Sequence, residues 1–190
     1  MGRLANTVTR GIVAARCALH GTDILALLRR DHEDLDKGLT ALLDPTLTIE
    51  QIRTTLDGVR LGLTAHAEAE DIVFHGAIKL STSARVLTLV VEEAAQSHHV
   101  QEVALAALVC APLGSASWFD NAQWMRDLVR EHSRYEEDCV LPAIRELAPK
   151  AYPDLAGRFA TERLRQLSML APSAPVYIPQ LARAELLRSA

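Results

Sequence analysis

The histidines and glutamates of this chain form an internal repeat with a constant offset, and the repeat constrains the fold more than any other feature. The segment 66–78, which begins His-Ala-Glu-Ala-Glu, returns 66 residues later as 132–144, and each copy holds a histidine and a glutamate four residues apart and ends in Ala-Ile. The same offset relates His32 to His98. Four histidines that obey one spacing rule predict a helical hairpin used twice, with a polar site between the two halves.

The composition favours a single all-α domain. Of the 190 residues 49% are hydrophobic but only 4% are aromatic, so the core is built from Leu, Ala, Val and Ile, and few Gly and Pro interrupt it. A chain of this length can bury a sizeable core. The net charge of −4 comes without a basic cluster, which argues against a nucleic-acid partner. No apolar run approaches the ~18 residues of a membrane span, so we expect no membrane partner.

The cysteines indicate a cytoplasmic location. Cys17, Cys110 and Cys139 are odd in number, far apart and without CxxC spacing, as in a reduced compartment. Arg16 interrupts the only apolar stretch near the N-terminus, so residues 1–21 are interpreted as a lead or a short helix and not as a signal peptide.

Capping residues and hydrophobic spacing predict four long helices followed by a fifth. Proline marks the predicted interruptions: Pro45 follows the first helix, and Pro142 kinks or ends the fourth. The predicted helices begin at Thr22–Asp23, at the capping-box pattern Thr48–Gln51, at Ser81–Ser83, at Asp120, and near residue 153. The second is expected to end near residue 79, the third near Cys110 and the fifth near residue 170.

These helices define the expected domain organisation. Residues 22–147 form the helical bundle, and residues 148–190 form a C-terminal helix and tail that pack on it. The tail contains the proline-rich segment 171–179, which is expected to lie extended along the bundle, and a short helical end at 181–187.

The residue types of the repeat are those of a metal site. Residues i and i+4 share one face of a helix, so a histidine and a glutamate at this spacing can reach the same metal. His32 and His98 lie on the apolar stripes of their helices, and buried imidazoles and carboxylates would be destabilising without a compensating metal. The candidate ligands are His32, His66, Glu70, His98, His132 and Glu136.

Donor chemistry narrows the choice of metal. Imidazole and carboxylate without thiolate suit iron, manganese or zinc, and this ligand set is too large for one tetrahedral zinc. Two metals that share carboxylates use the set better, and each would have about two histidines and a carboxylate, the donor type of non-haem iron sites.

Other residues near the repeat are alternative candidates. His99 could replace its neighbour His98, although the offset favours His98. Glu102 and Asp36 each follow a histidine by four residues, so they could ligate or be solvated. Tyr135 could line the pocket or donate a proton, or it could simply pack in the core. The acids that directly follow the ligand glutamates, Asp71 and Glu137, are candidates for supporting hydrogen bonds.

The pattern resembles the hemerythrin-like, or HHE cation-binding, family, with one histidine on helices one and three and HxxxE on helices two and four. The resemblance covers residues 22–147. It implies an antiparallel up-down four-helix bundle that holds an oxo- or hydroxo-bridged di-iron centre. Glu70 and Glu136 would bridge the irons, and the four histidines would be terminal ligands.

This sequence departs from the oxygen carriers of that family. Carriers place a second histidine four residues after the helix-three ligand, where Glu102 stands here, and they use HxxxxD on helix four. We therefore expect redox conversion of a small oxidant, hydrogen peroxide or O2, by catalase-like or oxidase chemistry, with a small organic substrate as a further candidate. The alternative is a protein that binds or senses O2, NO or iron without turnover.

Overall fold

The computed structural model describes residues 23–170, and every regular element in this part of the chain is a helix. The predictions for the N-terminal lead and for residues 171–190 lie outside the described residues. No helix of the described part is both long and apolar enough to cross a membrane. The helices are α1 (Ile24–Leu42), α2 (Ile49–Ile78), α3 (Ala84–Cys110), α4 (Ala116–Tyr135), α5 (Leu141–Leu147) and α6 (Leu155–Leu170).

The first three helices begin and end close to their predicted positions. Asp23 caps α1 by accepting a hydrogen bond from the Leu25 backbone N–H. The capping box at the start of α2 is confirmed, since the Thr48 side chain accepts from the Gln51 N–H and the Gln51 side chain accepts from the Thr48 N–H. Ser83 precedes α3, which ends at Cys110 as predicted.

The predicted start of the fourth helix was wrong, because α4 begins before Asp120. Gly114 has a φ of 76°, a value that favours glycine, and it turns the chain into the N-cap residue Ser115. The Ser115 hydroxyl then accepts a hydrogen bond from the Trp118 backbone N–H at 3.2 Å. This earlier start places the Trp118 side chain in the core, where it is fully buried.

The interruption predicted at Pro142 takes the form of a π-helical turn. This turn spans Glu136–Val140 between α4 and α5, and the Leu141 N–H bonds to the Glu136 carbonyl. Pro142 lies at the start of α5, where its missing N–H costs least. A 3₁₀ turn at Tyr152–Asp154 then leads into α6, so the predicted fifth helix is confirmed.

The helices contact one another in a consistent pattern. α1 packs on α2 and α4, α3 packs on the same two helices, and α6 packs mainly along α2 and also touches α1. Arg29 of α1 pairs with Glu137 of the π-helical turn that follows α4, and Asp36 of α1 pairs with Arg130 of α4. Between α3 and α4, Tyr135 bonds to Glu93, while Asn121 bonds to the Ala107 carbonyl further along both helices.

The hydrophobic core is divided into two clusters by a layer of polar side chains. Leu28 of α1 belongs to one cluster and Leu35 to the other, and His32 lies between them in sequence. The same division occurs on α2, where Leu63 and Val73 belong to different clusters and His66 and Glu70 lie between them. The polar residues at this division are themselves buried. The fold therefore brings one polar layer across the middle of the long helices.

Two glycines allow the α1–α2 contact to be tested. A Cβ at Gly58 would meet no described atom within 4 Å, whereas a Cβ at Gly38 would lie 2.7 Å from Val59 Cγ2. Gly58→Ala should raise the free energy of unfolding by about 0.5–1 kcal/mol, since alanine loses less backbone entropy on folding. Gly38→Ala should lower it by about 1 kcal/mol, because the stiff Val59 side chain must move. Urea unfolding measures the free energy of unfolding of both variants. An equal increase in the two would contradict the close approach of Gly38 to Val59.

Candidate metal centre

The polar layer contains two groups of metal-binding side chains that share two carboxylates. One group is His32, His66, Glu70 and Glu136, and the other is Glu70, His98, His132 and Glu136. Within each group one donor atom from every residue lies within 4.8 Å of the others. The six predicted ligands are therefore together, and each of the two groups could hold a metal ion.

Each glutamate contacts histidines of both groups. On α2, His66 Nε2 lies 3.1 Å from Glu70 Oε1, while His98 Nε2 from α3 lies 3.4 Å from the other oxygen of Glu70. Glu136 is approached in the same way, by His32 Nε2 at 3.2 Å and by His132 Nε2 at 3.3 Å. The i,i+4 pairs supply one contact to each carboxylate, and the packing of α1 and α3 supplies the other.

Several of these buried atoms lack a hydrogen bond. Glu70 and Glu136 are fully buried, yet both carboxylate oxygens of Glu70, Oε1 of Glu136 and Nε2 of His66 make no contact with hydrogen-bond geometry among the described residues, although nitrogen and oxygen lie close together. The Nε2 atoms of His98 and His132 face each other at 2.8 Å, where two unprotonated nitrogens would repel. Buried polar atoms are normally satisfied, and unpaired buried charge is costly. A metal cation would accept the lone pairs of such atoms, so the donor set fits a metal ion.

All four histidines are oriented by a hydrogen bond on Nδ1, the ring nitrogen that faces away from Glu70 and Glu136. A proton on Nδ1 leaves the Nε2 lone pair directed at the centre, which is how supporting residues orient metal-binding imidazoles. The partners of Nδ1 are Glu137 Oε1 for His32 at 2.9 Å, Asp31 Oδ2 for His66 at 3.3 Å, Asp71 Oδ1 for His98 at 3.1 Å and Ser97 Oγ for His132 at 2.6 Å.

These supporting residues obey the same repeat as the ligands. Asp71 and Glu137 directly follow the two glutamates, as the sequence analysis proposed, and they are 66 residues apart. Asp31 and Ser97 were missed, although they also stand 66 residues apart, each directly before a histidine ligand. The signal was therefore present in the sequence. It was hidden because the two residues differ chemically, a carboxylate in one half and a hydroxyl in the other.

Charge within the layer changes the pKa values of its members. Burial by itself would lower the pKa of His32, but its hydrogen bond to Glu136 and the charges of Glu70 and Glu136 raise it to about 9. For Glu136 burial acts to raise the pKa, and the charge of His132 overcomes it and holds the pKa well below its usual range. Protons on the imidazoles thus balance the buried carboxylates, and a bound cation would take over that role and displace protons.

The two halves of the centre differ in how they are enclosed. On the α1–α2 side, the Phe159 ring of α6 packs edge-on against His66 with 5.6 Å between the ring centroids, and Arg163 of α6 forms an ion pair with Asp31. On the α2–α3 side, the residue that supports His98 is Asp71, whose side chain is 39% exposed. The centre is therefore covered by α6 on one side and lies nearer to solvent on the other.

The alternative ligands do not join the centre. The side chains of His99 and Glu102 are 73% and 79% exposed, because they lie on the outer face of α3, so neither completes the site. Asp36 pairs with Arg130 instead. The Tyr135 hydroxyl donates to Glu93 Oε2 at 2.8 Å and its ring packs against the core, which is the packing alternative given above. Packing is the role that the structure gives it.

The cysteines lie apart from the ligands. Cys110 and Cys139 are exposed free thiols, while Cys17 lies outside the described residues. The two groups of the described part that could hold a metal ion offer imidazole and carboxylate donors.

A substitution at Asp31 tests the supporting contacts. Asp31→Asn keeps the shape of the side chain but removes the charge that holds His66 and pairs with Arg163, and we expect metal affinity to fall about 10–100-fold. Asp34→Asn is the matched control, since Asp34 lies on the exposed face of α1 and bonds to Lys37. Competition titration with a chromogenic chelator measures the affinity. Equal affinity in the two variants would remove Asp31 from the centre.

Comparison with protein-family models, with curated proteins and with solved structures finds no match to this chain. The chain's own geometry supports a metal centre. Two buried donor groups share two carboxylates, and each imidazole is hydrogen-bonded at Nδ1 by a supporting residue.

Proposed function

We propose that this chain is a hemerythrin-like protein whose four long helices form an antiparallel up-down bundle. Pairs of contacts support this arrangement, because residue numbers rise along one helix as they fall along its neighbour. Asp31 meets His66 while Gly38 approaches Val59 between α1 and α2. Residue numbers also run in opposite directions in the pairs that α1 makes with α4 and its π-helical turn, and in the pairs between α3 and α4.

The proposed cofactor is a pair of iron ions. The observation that carries this proposal is the sharing of Glu70 and Glu136 by two groups, each of which also has two histidines. Two histidines with carboxylate oxygen are typical of non-haem iron sites that keep open positions. Manganese and zinc accept similar donors and remain the alternatives.

The proposed activity is redox conversion of a small oxidant, hydrogen peroxide or O2. Bound iron would supply the electrons and the positions at which the oxidant binds. Glu102 lies on the outer face of α3, so α3 contributes one histidine and leaves fewer donors than two octahedral ions accept. This favours conversion over reversible storage of oxygen.

The chain's own residues would prepare the site for this reaction. Asp31, Asp71, Ser97 and Glu137 hold the four imidazoles in one tautomer, so the donors need little rearrangement. Phe159 excludes water from the α1–α2 side. A small oxidant would therefore approach from the α2–α3 side, past Asp71 and His98.

A second candidate function is sensing of O2, NO or iron without turnover. The polar layer divides the hydrophobic core, and this favours the second candidate. A change in the charge or metal content of the layer would affect the packing of both hydrophobic clusters. Metal binding at such a layer contributes directly to folding free energy.

Metal analysis tests the cofactor. Protein purified in air should contain two irons per chain and absorb visible light, and His66→Ala should lower the iron content strongly because it removes a buried donor. His75→Ala is the matched control, since His75 lies further along α2 and bonds to Glu92 and the Asp71 carbonyl. Elemental analysis measures both variants. Equal iron content in the two would contradict the proposed site.

Kinetic measurement separates the two functions. We expect iron-loaded protein to consume hydrogen peroxide through many turnovers, or O2 when a chemical reductant is supplied, and His66→Ala to lose this activity along with its iron. The His75→Ala protein should keep the rate of the unmodified chain. Binding of O2 or NO that reverses without consumption would instead support the sensing function.

A further inference from the structure

The outer face of α3 carries an exposed stripe of apolar side chains with coiled-coil spacing. Residues 86, 89, 93, 96, 100 and 103 are separated alternately by three and four positions, which places them on one line along the helix. The stripe is about 26 Å long at a rise of 1.5 Å per residue. Its apolar members are Val86, Leu89, Val100 and Val103, and they are 40–67% exposed.

This stripe, residues 86–103 of α3, is symmetric about its own midpoint between Ala94 and Ala95. Reversal of the helix exchanges Val86 with Val103 and Leu89 with Val100. The central positions, Glu93 and Gln96, exchange with each other. A second copy packed antiparallel would therefore set apolar residues against apolar residues at both ends, and in the middle a carboxylate would accept a hydrogen bond from an amide.

The charges beside the stripe favour the same orientation. Glu92 and His99 are seven residues apart and lie on one flank of it, with side chains 59% and 73% exposed. In an antiparallel pair Glu92 of each copy comes opposite His99 of the other, so an acid meets an imidazole twice. A parallel pair would instead set Glu93 against Glu93, which is repulsive.

The surface at this place has a shallow, open depression. A groove of about 480 Å³ is lined by Leu89, Glu92, Glu93, Gln96, Ser97 and Val100. These residues include both polar central positions and the inner apolar position on each side. The side chains of a facing helix can enter such a groove.

We propose that α3 is the interface of a homodimer in which two copies of this chain pack antiparallel through the stripe, related by a two-fold axis at its midpoint. A two-fold interface uses the same patch on both copies, so the patch must be complementary to itself, and the residue symmetry of the stripe meets this requirement. The metal centres lie on the inner side of α3, so each copy keeps a complete site. The interface does not depend on the proposed function.

Two double variants test the interface and its orientation. In an antiparallel dimer, Leu89→Lys with Val100→Glu creates two lysine–glutamate contacts, whereas Leu89→Lys with Val100→Lys creates two lysine–lysine contacts. Sedimentation equilibrium of the full chain at micromolar concentration should give a dimer for the unmodified protein. The Lys/Glu variant should dimerise at least about tenfold more tightly than the Lys/Lys variant, a difference of about 1.4 kcal/mol.

Each other outcome overturns the proposal. A monomeric unmodified protein shows that two copies do not pair through the stripe. Equal association of the two double variants excludes the antiparallel contact. Trp124→Lys, on the exposed face of α4, is the control and should leave the dimer unchanged. Helix content by circular dichroism and bound metal should match the unmodified protein in all variants, which separates loss of the dimer from loss of the fold.

Discussion

The rest of the structure depends on the buried contacts between imidazoles and carboxylates. Glu70 and Glu136 are removed from water entirely, and each is approached by histidines from two directions. Carboxylates in this position need a compensating positive charge, which protons on the imidazoles or a cation can supply. The layer therefore stabilises the fold only when it is charge-balanced, and this requirement joins the stability of the helices to the occupancy of the centre.

The contacts around the layer explain how six donors are held in one place. Every Nδ1 is bonded outward, so every Nε2 is directed inward, and the arrangement is made by residues adjacent in sequence to the ligands themselves. The two halves are nevertheless unequal. Asp31 is a carboxylate paired with Arg163 of α6, whereas its counterpart Ser97 is a hydroxyl that accepts from Gln101 at 3.4 Å. A carboxylate makes its imidazole more basic than a hydroxyl does, so two ions bound here would experience different ligands.

The π-helical turn adds a second inequality between the halves. Glu70 lies within regular α2, but Glu136 begins the turn that precedes Pro142. The extra residue in such a turn re-aims the side chains that follow it, and π-turns are frequent at functional sites. Glu136 nevertheless reaches both His32 and His132, so the turn is compatible with the shared carboxylate.

The sequence determined the helices, the candidate donor residues and the repeat, because each of these depends on local spacing. Thr48 and Gln51 made a capping box that needs no distant partner, and the i,i+4 relation placed His66 with Glu70 on one face of α2. Local rules failed where a distant contact decided the outcome. Asp120 resembled an N-cap, but burial of Trp118 favoured the earlier cap at Ser115. Glu102 satisfied the same spacing rule as Glu70, yet it faces outward.

Only the tertiary structure decided which of these residues meet. The packing of α1 and α3 against α2 and α4 selected His98 over His99, gave each carboxylate its second imidazole, and directed Tyr135 to Glu93 and away from the centre. It also placed α6 over His66. The physical reason is that spacing along a helix fixes which residues share a face, while the neighbour that the face is turned toward depends on how all the helices bury their apolar surfaces at once.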